Sequence, residues 1–346
     1  ANQRKGRCGR IAPGVCIRLY SEADFQSRPE FTEPEIRRTN LASVILQMEN
    51  LRLGDVEQFD FIEPPDQRLV NDGRKLLTEL GALTEGKSGL TRTGQMMARL
   101  PIDPRLARML IGGAHFGVLA ETLIIVSALS VQDVRERPAD KQTQADQKHA
   151  LFREPDSDFL FFLKLWQHMA TENLSENQRR SFARSHFLSW LRLREWRHTH
   201  RQLADMCQEM KLSVNEQPAS YENLHRALLT GLLSFIAQKT DVKGEFLAVR
   251  QQKARVFPAS VLHKKQPDWL MAFEIVETTQ VWLRTLAKIE PEWIISAARD
   301  LLKIHYFEPH WSKKSGSVTA WAQISLFGLI IQHKQPVSHF EKIDPE

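Results

Sequence analysis

Arginines occur at every third position near the amino end of the chain, at Arg4, Arg7 and Arg10. On a helix or a tight turn this spacing places the side chains along one ridge, and Gly6 and Gly9 let the backbone approach a ligand closely. Neighbouring guanidinium groups repel one another unless an anion lies among them, and their planar shape suits phosphate oxygens. The pattern therefore indicates either a phosphate-binding cluster or a basic surface helix.

Positive charge is concentrated in three separate parts of the chain, at residues 1–31, 175–212 and 239–265. The net charge of all 346 residues is only +5, so the rest of the chain is net acidic. Separate basic patches fit a long polyanion better than a single small phosphate ligand. An ordinary solvated surface is the alternative explanation.

Helical signals follow the first of these patches along the chain. A capping box with proline in the first turn, at residues 32–35, predicts a helix that begins at Thr32. A second helix follows Pro64-Pro65 and ends at Gly81, a glycine typical of a helix carboxyl end. A polar turn at residues 84–89 and another helix through Met97 complete an order of elements that is typical of a winged helix.

The middle of the chain is predicted to be entirely helical, and a β-rich part follows it. Helices are expected at residues 104–117, 121–129 and 156–169, with a long one at about 181–210, whereas residues 135–148 form a loop or a weak helix. Short runs of β-branched and aromatic residues predict strands at 248–257, 269–278 and 281–289, with a helix at 292–302. About five short strands fit a small barrel, and the OB-fold is the usual nucleic-acid-binding one.

Two further groups of basic residues are candidates for contacting a polyanion. On the predicted long helix, arginines at spacings of three and four lie on one face, although a solvated face is the alternative. A second group flanks residues 256–260 in the barrel, where Trp269, Phe273 and Trp282 either stack on bases or, more commonly for strand residues, form core. The basic residues of the two groups are Arg194, Arg197, Arg201, Lys253, Arg255, Lys264 and Lys265.

Cysteine and hydrophobic patterns exclude several classes of protein. Cys8, Cys16 and Cys207 provide neither a disulfide framework nor metal-ligand spacing, so we expect no metal site and a reducing, cytoplasmic environment. No apolar run reaches the roughly 18 residues that a membrane span needs.

Residues 81–88 match the pattern of a P-loop, but they follow a predicted helix rather than a buried strand. We therefore interpret them as the tip of a hairpin.

Several ordered motifs resemble the DEAH-box family of helicases. QRKGRCGR at residues 3–10 resembles the last helicase motif of that family, and PGVCIRLY at residues 13–20 resembles the segment that follows it. The likeness continues through residues 35–51, 90–110 and 267–294. The closing stretch is similar to that of bacterial members of the HrpA type.

The resemblance implies a multidomain fold, mainly α with a late β-barrel. Residues 1–31 would be the carboxyl-terminal remnant of the second RecA-like domain, and residues 32–100 a winged helix. Residues 101–215 would form the helical ratchet domain and residues 216–310 the OB-fold. Residues 311–346 would begin the HrpA-type carboxyl-terminal extension.

The resemblance also implies a function, that of the carboxyl-terminal part of an ATP-dependent helicase that moves 3′ to 5′ along RNA. Arg7 and Arg10 would be arginine fingers, and Gln3 would contact the γ-phosphate or the attacking water. ATP and Mg²⁺ would be held mainly by an upstream RecA-like domain that this chain lacks, so the chain alone is expected to be inactive.

The expected partner is single-stranded RNA, either messenger RNA or RNA associated with the ribosome, bound by a monomer away from membranes. The two basic groups described above would then lie along the RNA path. A non-enzymatic RNA-binding or adaptor module derived from helicase accessory domains is the alternative. Binding of duplex DNA by the winged helix is disfavoured, because the helix after Pro65 has mixed charge rather than a basic face.

Overall fold

The structure is a computed structural model. It describes residues 2–9, 11–29, 31, 34–37, 40–84, 89–171, 175–313 and 316–338. Every structural statement below refers to these residues. The capping box predicted at Thr32 lies outside them, as do Arg10 and most of the predicted hairpin tip at residues 85–88.

The amino-terminal segment contains two short helices, α1 (Asn2–Lys5) and α2 (Glu22–Ser27). The Ser21 side chain caps α2 by accepting a hydrogen bond from the Asp24 amide. The guanidinium of Arg18 links the two helices. It donates a hydrogen bond to Asn2 Oδ1 of α1 at 2.9 Å and lies 4.0 Å from the ring centroid of Phe25 in α2. Apolar side chains between the two helices are almost fully exposed, so this segment has no core of its own: Ile11, Val15, Ile17 and Leu19.

Three helices and a short bridge follow: α3 (Ala42–Leu51), α4 (Gln67–Glu79) and α5 (Arg92–Ala98), with an antiparallel bridge between Leu83 and Leu90. The regular helix therefore begins at Ala42, ten residues after the predicted start, and a 3-10 turn at Glu35–Arg37 lies among the residues described between 31 and 41. Asp66 and Thr91 cap α4 and α5 through their side chains. The helix order agrees with the sequence pattern, and the assignment of a winged helix stays a prediction.

The middle of the chain is a bundle of α6 (Pro104–His115), α7 (Leu119–Leu129), α8 (Gln142–Ala150), α9 (Leu160–Thr171), α10 (Glu176–Ser185), α11 (Trp190–Glu209) and α12 (Tyr221–Leu229). Trp196 of α11 lies at its centre and is fully buried. Its indole N–H donates to the Ile124 carbonyl and to Ser127 Oγ, both at 3.0 Å. The buried polar group is thereby satisfied, which an indole in a core requires.

The long helix predicted at 181–210 is wrong, because α10 and α11 are separated by a turn. Phe187 has a positive φ of 53°, and Leu188 pairs with Arg135 in an antiparallel bridge. The Glu136 amide donates to the Phe187 carbonyl and the Ser189 amide to the Val134 carbonyl, each at 2.8 Å. These tertiary hydrogen bonds use backbone groups that a continuous helix would have needed for itself.

The helix predicted at 156–169 also begins late, at Leu160. Asp156 has a positive φ of 74°, and Ser157 forms a bridge with Ala287 in the following domain. Residues 156–158 are therefore used for contact between domains instead of a first helical turn. α8 begins within residues 135–148, where a loop or a weak helix is expected, and it extends two residues beyond them.

Five strands close into a barrel: β1 (Ile236–Lys239), β2 (Phe246–Ala248), β3 (Gln252–Val256), β4 (Trp269–Glu277) and β5 (Val281–Lys288). Their order is β1-β2-β3-β5-β4, and β3 and β5 are the parallel pair. Phe246, Leu270, Leu283 and Leu286 fill the interior. This confirms the predicted barrel.

Two elements near the barrel differ from the prediction. The strand expected at 248–257 is shorter in the structure: β3 begins at Gln252, because residues Val249–Gln251 form a 3-10 turn after β2 in which Arg250 and Gln251 adopt positive φ values of 59° and 63°. The helix expected at 292–302 is α13 (Pro291–Ala297), and a 3-10 turn at Arg299–Leu301 follows it.

The chain continues into a three-stranded antiparallel sheet that the sequence patterns did not predict. Its strands are β6 (Lys303–Ser312), β7 (Ser317–Leu326) and β8 (Leu329–Ser338), in the order β6-β7-β8. One face of β7 is buried through Ala320, Ala322, Ile324 and Leu326. α13 packs against β8, and buried residues of both elements belong to the main hydrophobic core.

Candidate phosphate site and nucleic-acid interface

The Arg7 side chain lies in an exposed turn directly after α1. The turn is held by hydrogen bonds from the Gly6 amide to the Asn2 carbonyl (2.9 Å) and from the Cys8 amide to the Lys5 carbonyl (3.0 Å). Gly9 then adopts a φ of 83°, which residues other than glycine rarely adopt. Arg7 is thus presented to solvent on a tight turn, as a group that acts on a ligand held elsewhere requires.

The positions of the other predicted members of the phosphate cluster do not follow from these contacts. Arg10 lies outside the described residues, and so does the side chain of Gln3. Their convergence with Arg7 stays a prediction.

The segment that matches a P-loop follows a helix. Its first glycine, Gly81, comes after α4, and Thr91 Oγ donates to the Gly81 carbonyl and also caps α5. A nucleotide-binding P-loop connects a buried strand to a helix that begins at the phosphates. The local structure before Gly81 therefore disfavours nucleotide binding there.

Arginines of α10 and α11 form a cationic cluster on the surface of the helical bundle. Burial, followed by the nearby charges of Arg179 and Arg201, lowers the pKa of Arg197. Arg179 Nε is buried and has no hydrogen-bond partner among the described residues. Arg194 lies about one turn before Arg197 and is exposed. The Glu176 carboxylate acts in the opposite direction on the pKa of Arg197 but does not cancel the shift, and a cluster with an excess of guanidinium groups favours an anion.

Sequence reasoning missed Arg179, which joins this cluster from the preceding helix. The predicted long helix would have placed Arg179 outside its first turn, with no reason to face Arg197. The turn at 186–189 folds α10 back and brings the two together. A prediction from spacing within one helix has no access to that contact.

The outer face of the barrel presents a second group of basic and aromatic side chains. Arg255 of β3 is paired in register with Trp282 of β5, and Arg284 follows two residues later on the same face. The Arg284 guanidinium lies 4.3 Å from the Phe257 ring centroid, and its Nε is buried with no hydrogen-bond partner among the described residues. Phe257 meets Trp282 edge to face at 5.8 Å. Rings and cations side by side are a surface typical of single-strand binding.

The four basic barrel residues predicted as one group lie in two places. Lys253 is on β3 with Arg255, where its ammonium forms an exposed ion pair with Glu245 at 3.2 Å. Lys264 and Lys265 lie in the loop between β3 and β4, and Lys265 pairs with Asp156 at 3.0 Å. Lys264 is exposed. Lys265 is therefore occupied at the contact between the bundle and the barrel.

Most of the predicted stacking aromatics belong to the core. Trp269 is buried. Phe273 is partly buried against the main core, where the Arg105 guanidinium lies 5.4 Å from its ring centroid and 4.7 Å from that of Phe235. Trp282 is also partly exposed, and it lies on the outer face of the barrel next to Phe257.

The bundle and the barrel are joined by a polar junction around Asp158. Its carboxylate accepts hydrogen bonds from Ser260 Oγ at 2.6 Å, the Val261 amide at 3.0 Å and the Leu286 amide at 2.9 Å. Beside it, His225 Nε2 lies 2.7 Å from Ser157 Oγ. Together with the bridge between Ser157 and Ala287, these hydrogen bonds hold the barrel against the segment that precedes α9.

The neutral state of His225 is part of the same junction. Its Nδ1 lies 2.7 Å from the Tyr221 carbonyl, so this nitrogen carries the proton and Nε2 accepts from Ser157. Burial lowers the pKa of His225 to about 4. The Tyr221 hydroxyl lies 2.9 Å from both the Asp156 and the Lys288 carbonyls, and burial raises its pKa.

Among the described helices, none is both long enough and apolar enough to cross a membrane.

Comparison with known proteins identifies the two folded regions. Residues 103–189 match the family model described as helicase associated domain (HA2), ratchet-like. Residues 224–301 match the model described as oligonucleotide/oligosaccharide-binding (OB)-fold. The second match coincides with α12, the closed barrel and α13.

Curated relatives match the whole chain. An ATP-dependent RNA helicase HrpA homolog from Haemophilus influenzae is 51% identical over 100% of this chain, and the ATP-dependent RNA helicase HrpA from Escherichia coli is 48% identical over the same share. The chain belongs to the HrpA-type family of DEAH-box helicases. It spans 27% of the length of each of these relatives.

Proposed function

We propose that this chain supplies the accessory domains and one wall of the ATP site in an RNA helicase that uses ATP to move 3′ to 5′ along a single strand. The observation that carries the proposal is the identity of about half of all residues with HrpA proteins across the whole chain. Both matched domains and the exposed turn at Arg7 are consistent with this function.

The proposed domains follow the observed elements. Residues 1–31 are the edge of the second RecA-like domain, whose exposed apolar residues would pack against the rest of that domain. Residues 32–100 are a winged helix, built from α3, α4, the Leu83–Leu90 bridge and α5. Residues 101–215 and 216–310 contain the matched ratchet and OB regions, and residues 311–346 begin the extension that contains most of the sheet β6-β7-β8.

At the ATP site, Arg7 and Arg10 would contact the transferring phosphoryl group, and Gln3 would contact the γ-phosphate or the attacking water. Phosphoryl transfer depends mainly on electrostatic stabilisation, to which an arginine finger contributes about 10³ to 10⁵ in rate. The tight turn through Gly9 and the exposure of Arg7 fit a side chain that reaches across to a nucleotide. ATP and Mg²⁺ would be held mainly by a RecA-like domain outside this chain.

On the RNA side, the cluster of Arg179, Arg197 and Arg201 would contact phosphates. The outer barrel face with Arg255 and Trp282 would contact phosphates and bases. Lys265 contributes less, because Asp156 already neutralises it. We also propose that the protein acts as a monomer in the cytoplasm, on messenger or ribosome-associated RNA.

Binding of single-stranded RNA tests the arginine cluster. In the full-length protein that contains this chain, the double variant Arg197→Ala, Arg201→Ala is expected to weaken binding. It should also reduce the slope of log affinity against log salt by about 0.7 for each lost phosphate contact. Arg137→Ala is the matched control, because it removes an exposed guanidinium that is paired with Asp146 on another part of the bundle.

A strand-displacement assay tests the direction of movement. Duplexes with a 3′ single-stranded overhang should be unwound and those with a 5′ overhang should not. Unwinding of both at equal rates, or an unchanged salt slope in the double arginine variant, contradicts the proposed path. Binding of RNA without ATP-dependent unwinding would instead support an adaptor.

A further inference from the structure

The sheet β6-β7-β8 has a second face that the core does not use. Register places Lys303, His305 and Phe307 of β6 opposite Ser325, Gln323 and Trp321 of β7, and His310 opposite Thr319 after a β-bulge. Alternation along β7 puts these residues on the side away from its buried alanines. We call six residues of this side the ring face: Lys303, His305, Phe307, His310, Trp321 and Lys334.

The four rings of the ring face form two ring pairs, which the register of β6 and β7 places next to each other in one row. His305 and Phe307 are nearly parallel, with an interplanar angle of 12° and centroids 6.4 Å apart. Phe307 is the cross-strand neighbour of Trp321. Trp321 and His310 are tilted by 32°, with centroids 6.0 Å apart.

These exposed rings differ from the single apolar residues that are scattered over most protein surfaces, because they lie next to one another. The core takes the opposite face of the sheet through Ala320, Ala322 and Leu326, and α13 packs against β8. Phe307 and Trp321 are only half-buried, while His305 and His310 are exposed. Single exposed apolar residues are common, whereas a contiguous row of rings marks a surface that binds something.

The charge on this sheet favours an anionic partner. Lys334 Nζ lies 5.8 Å from the Trp321 ring centroid, and Lys303 lies at the other end of the ring row, at the edge of a cleft of about 1950 Å³. In the sequence from residue 303 to 338, Glu308 is the one acidic residue, against four lysines and three histidines. Open rings flanked by cations match a ligand with flat apolar groups on an anionic backbone.

We propose that the ring face binds single-stranded RNA, with bases stacked on Phe307 and Trp321 and phosphates near Lys303 and Lys334. Single strands expose their base faces, whereas a duplex hides them in its own stack. That the strand is RNA and not DNA rests on the proposed function. None of the six residues belongs to the matched OB-fold at 224–301 or to the arginine cluster on α11.

Equilibrium binding of a fluorescein-labelled twelve-nucleotide adenosine strand to the 346-residue chain tests the proposal. Trp321→Ala and Phe307→Ala are each expected to weaken binding by about fivefold or more, since one stacked base contributes that much. Trp311→Ala is the matched control. It removes a 62% exposed tryptophan from the same sheet, on the side opposite the ring face.

The outcomes separate this proposal from the proposed function. Weaker binding in the ring-face variants, with Trp311→Ala and the thermal unfolding temperature unchanged, supports the ring face. Unchanged binding in both ring-face variants overturns it, even where Arg197→Ala, Arg201→Ala still weakens binding. Equal losses in Trp321→Ala and Trp311→Ala, or equal affinity for a duplex of the same length, also overturn it. A face that binds a protein segment would appear as unchanged RNA affinity.

Discussion

Replacing Asp158 should loosen the junction between the helical bundle and the barrel. Its carboxylate accepts three hydrogen bonds, two of them from the backbone amides of Val261 and Leu286 in the barrel. In Asp158→Ala these donors lose their acceptor at a site that is only partly open to water. A hydrogen bond to a charged group contributes about 1.5–3 kcal/mol when buried. We take about 1 kcal/mol for each at this half-buried site, or about 3 kcal/mol of unfolding free energy in total.

Urea denaturation of the 346-residue chain, followed by circular dichroism, measures this loss. Asp158→Asn keeps one acceptor oxygen and should lose about half as much as Asp158→Ala. Asp146→Ala is the control, since its carboxylate is in an exposed ion pair with Arg137 whose contribution is about 1 kcal/mol or less.

The reasoning predicts that Asp158→Ala acts on the coupling between the two domains. The denaturation curve should therefore broaden or separate into two transitions as the barrel and bundle unfold less cooperatively. A loss no larger than that of Asp146→Ala, within a single unchanged transition, would refute the assigned role of the junction.

Three further variants test the interior. Burial lowers the pKa of His225 from 6.5 to about 4. With respect to this group the fold is therefore most stable above pH 6.5, where the ring is neutral in both the folded and the unfolded protein. That stability, about 3 kcal/mol, is lost as the pH falls to 4, and unfolding curves of His225→Asn should show a weaker decline. Gly94→Ala places a methyl group against the Ala82 carbonyl oxygen, closer than van der Waals contact allows, and should lower the melting temperature clearly, whereas exposed Gln95→Ala should not. Burial raises the pKa of Glu79, so the wild type loses stability as the pH rises through that pKa; calorimetry should show that Glu79→Gln lacks this decline.

Hydrophobic periodicity predicted the existence of most helices and of the barrel strands β4 and β5. Their burial follows directly from local sequence, as the buried stripe Leu193, Trp196 and Leu203 of α11 illustrates. The break between α10 and α11 had no local signal. It depends on backbone hydrogen bonds to residues 134–136, more than 50 positions earlier in the chain.

The same limit applies to the candidate sites. The spacing of Arg194, Arg197 and Arg201 identified one ridge, but Arg179 reaches Arg197 only through the fold. The ring face was missed for a related reason, because Phe307 and Trp321 become neighbours only through the pairing of β6 with β7, and His310 joins them after a β-bulge. Lys265 is the opposite case. Its charge predicted a contact with RNA, but in the structure its ammonium group forms an ion pair with Asp156.

The rate of RNA-stimulated ATP hydrolysis by the full-length protein tests the central claim most directly. Arg7→Ala is compared with Lys5→Ala, which removes an equally exposed positive charge from the same turn region. The account predicts a loss of about 10³-fold or more in the arginine variant, with RNA affinity retained, and a near-normal rate in the lysine variant. An unchanged rate in Arg7→Ala would contradict it.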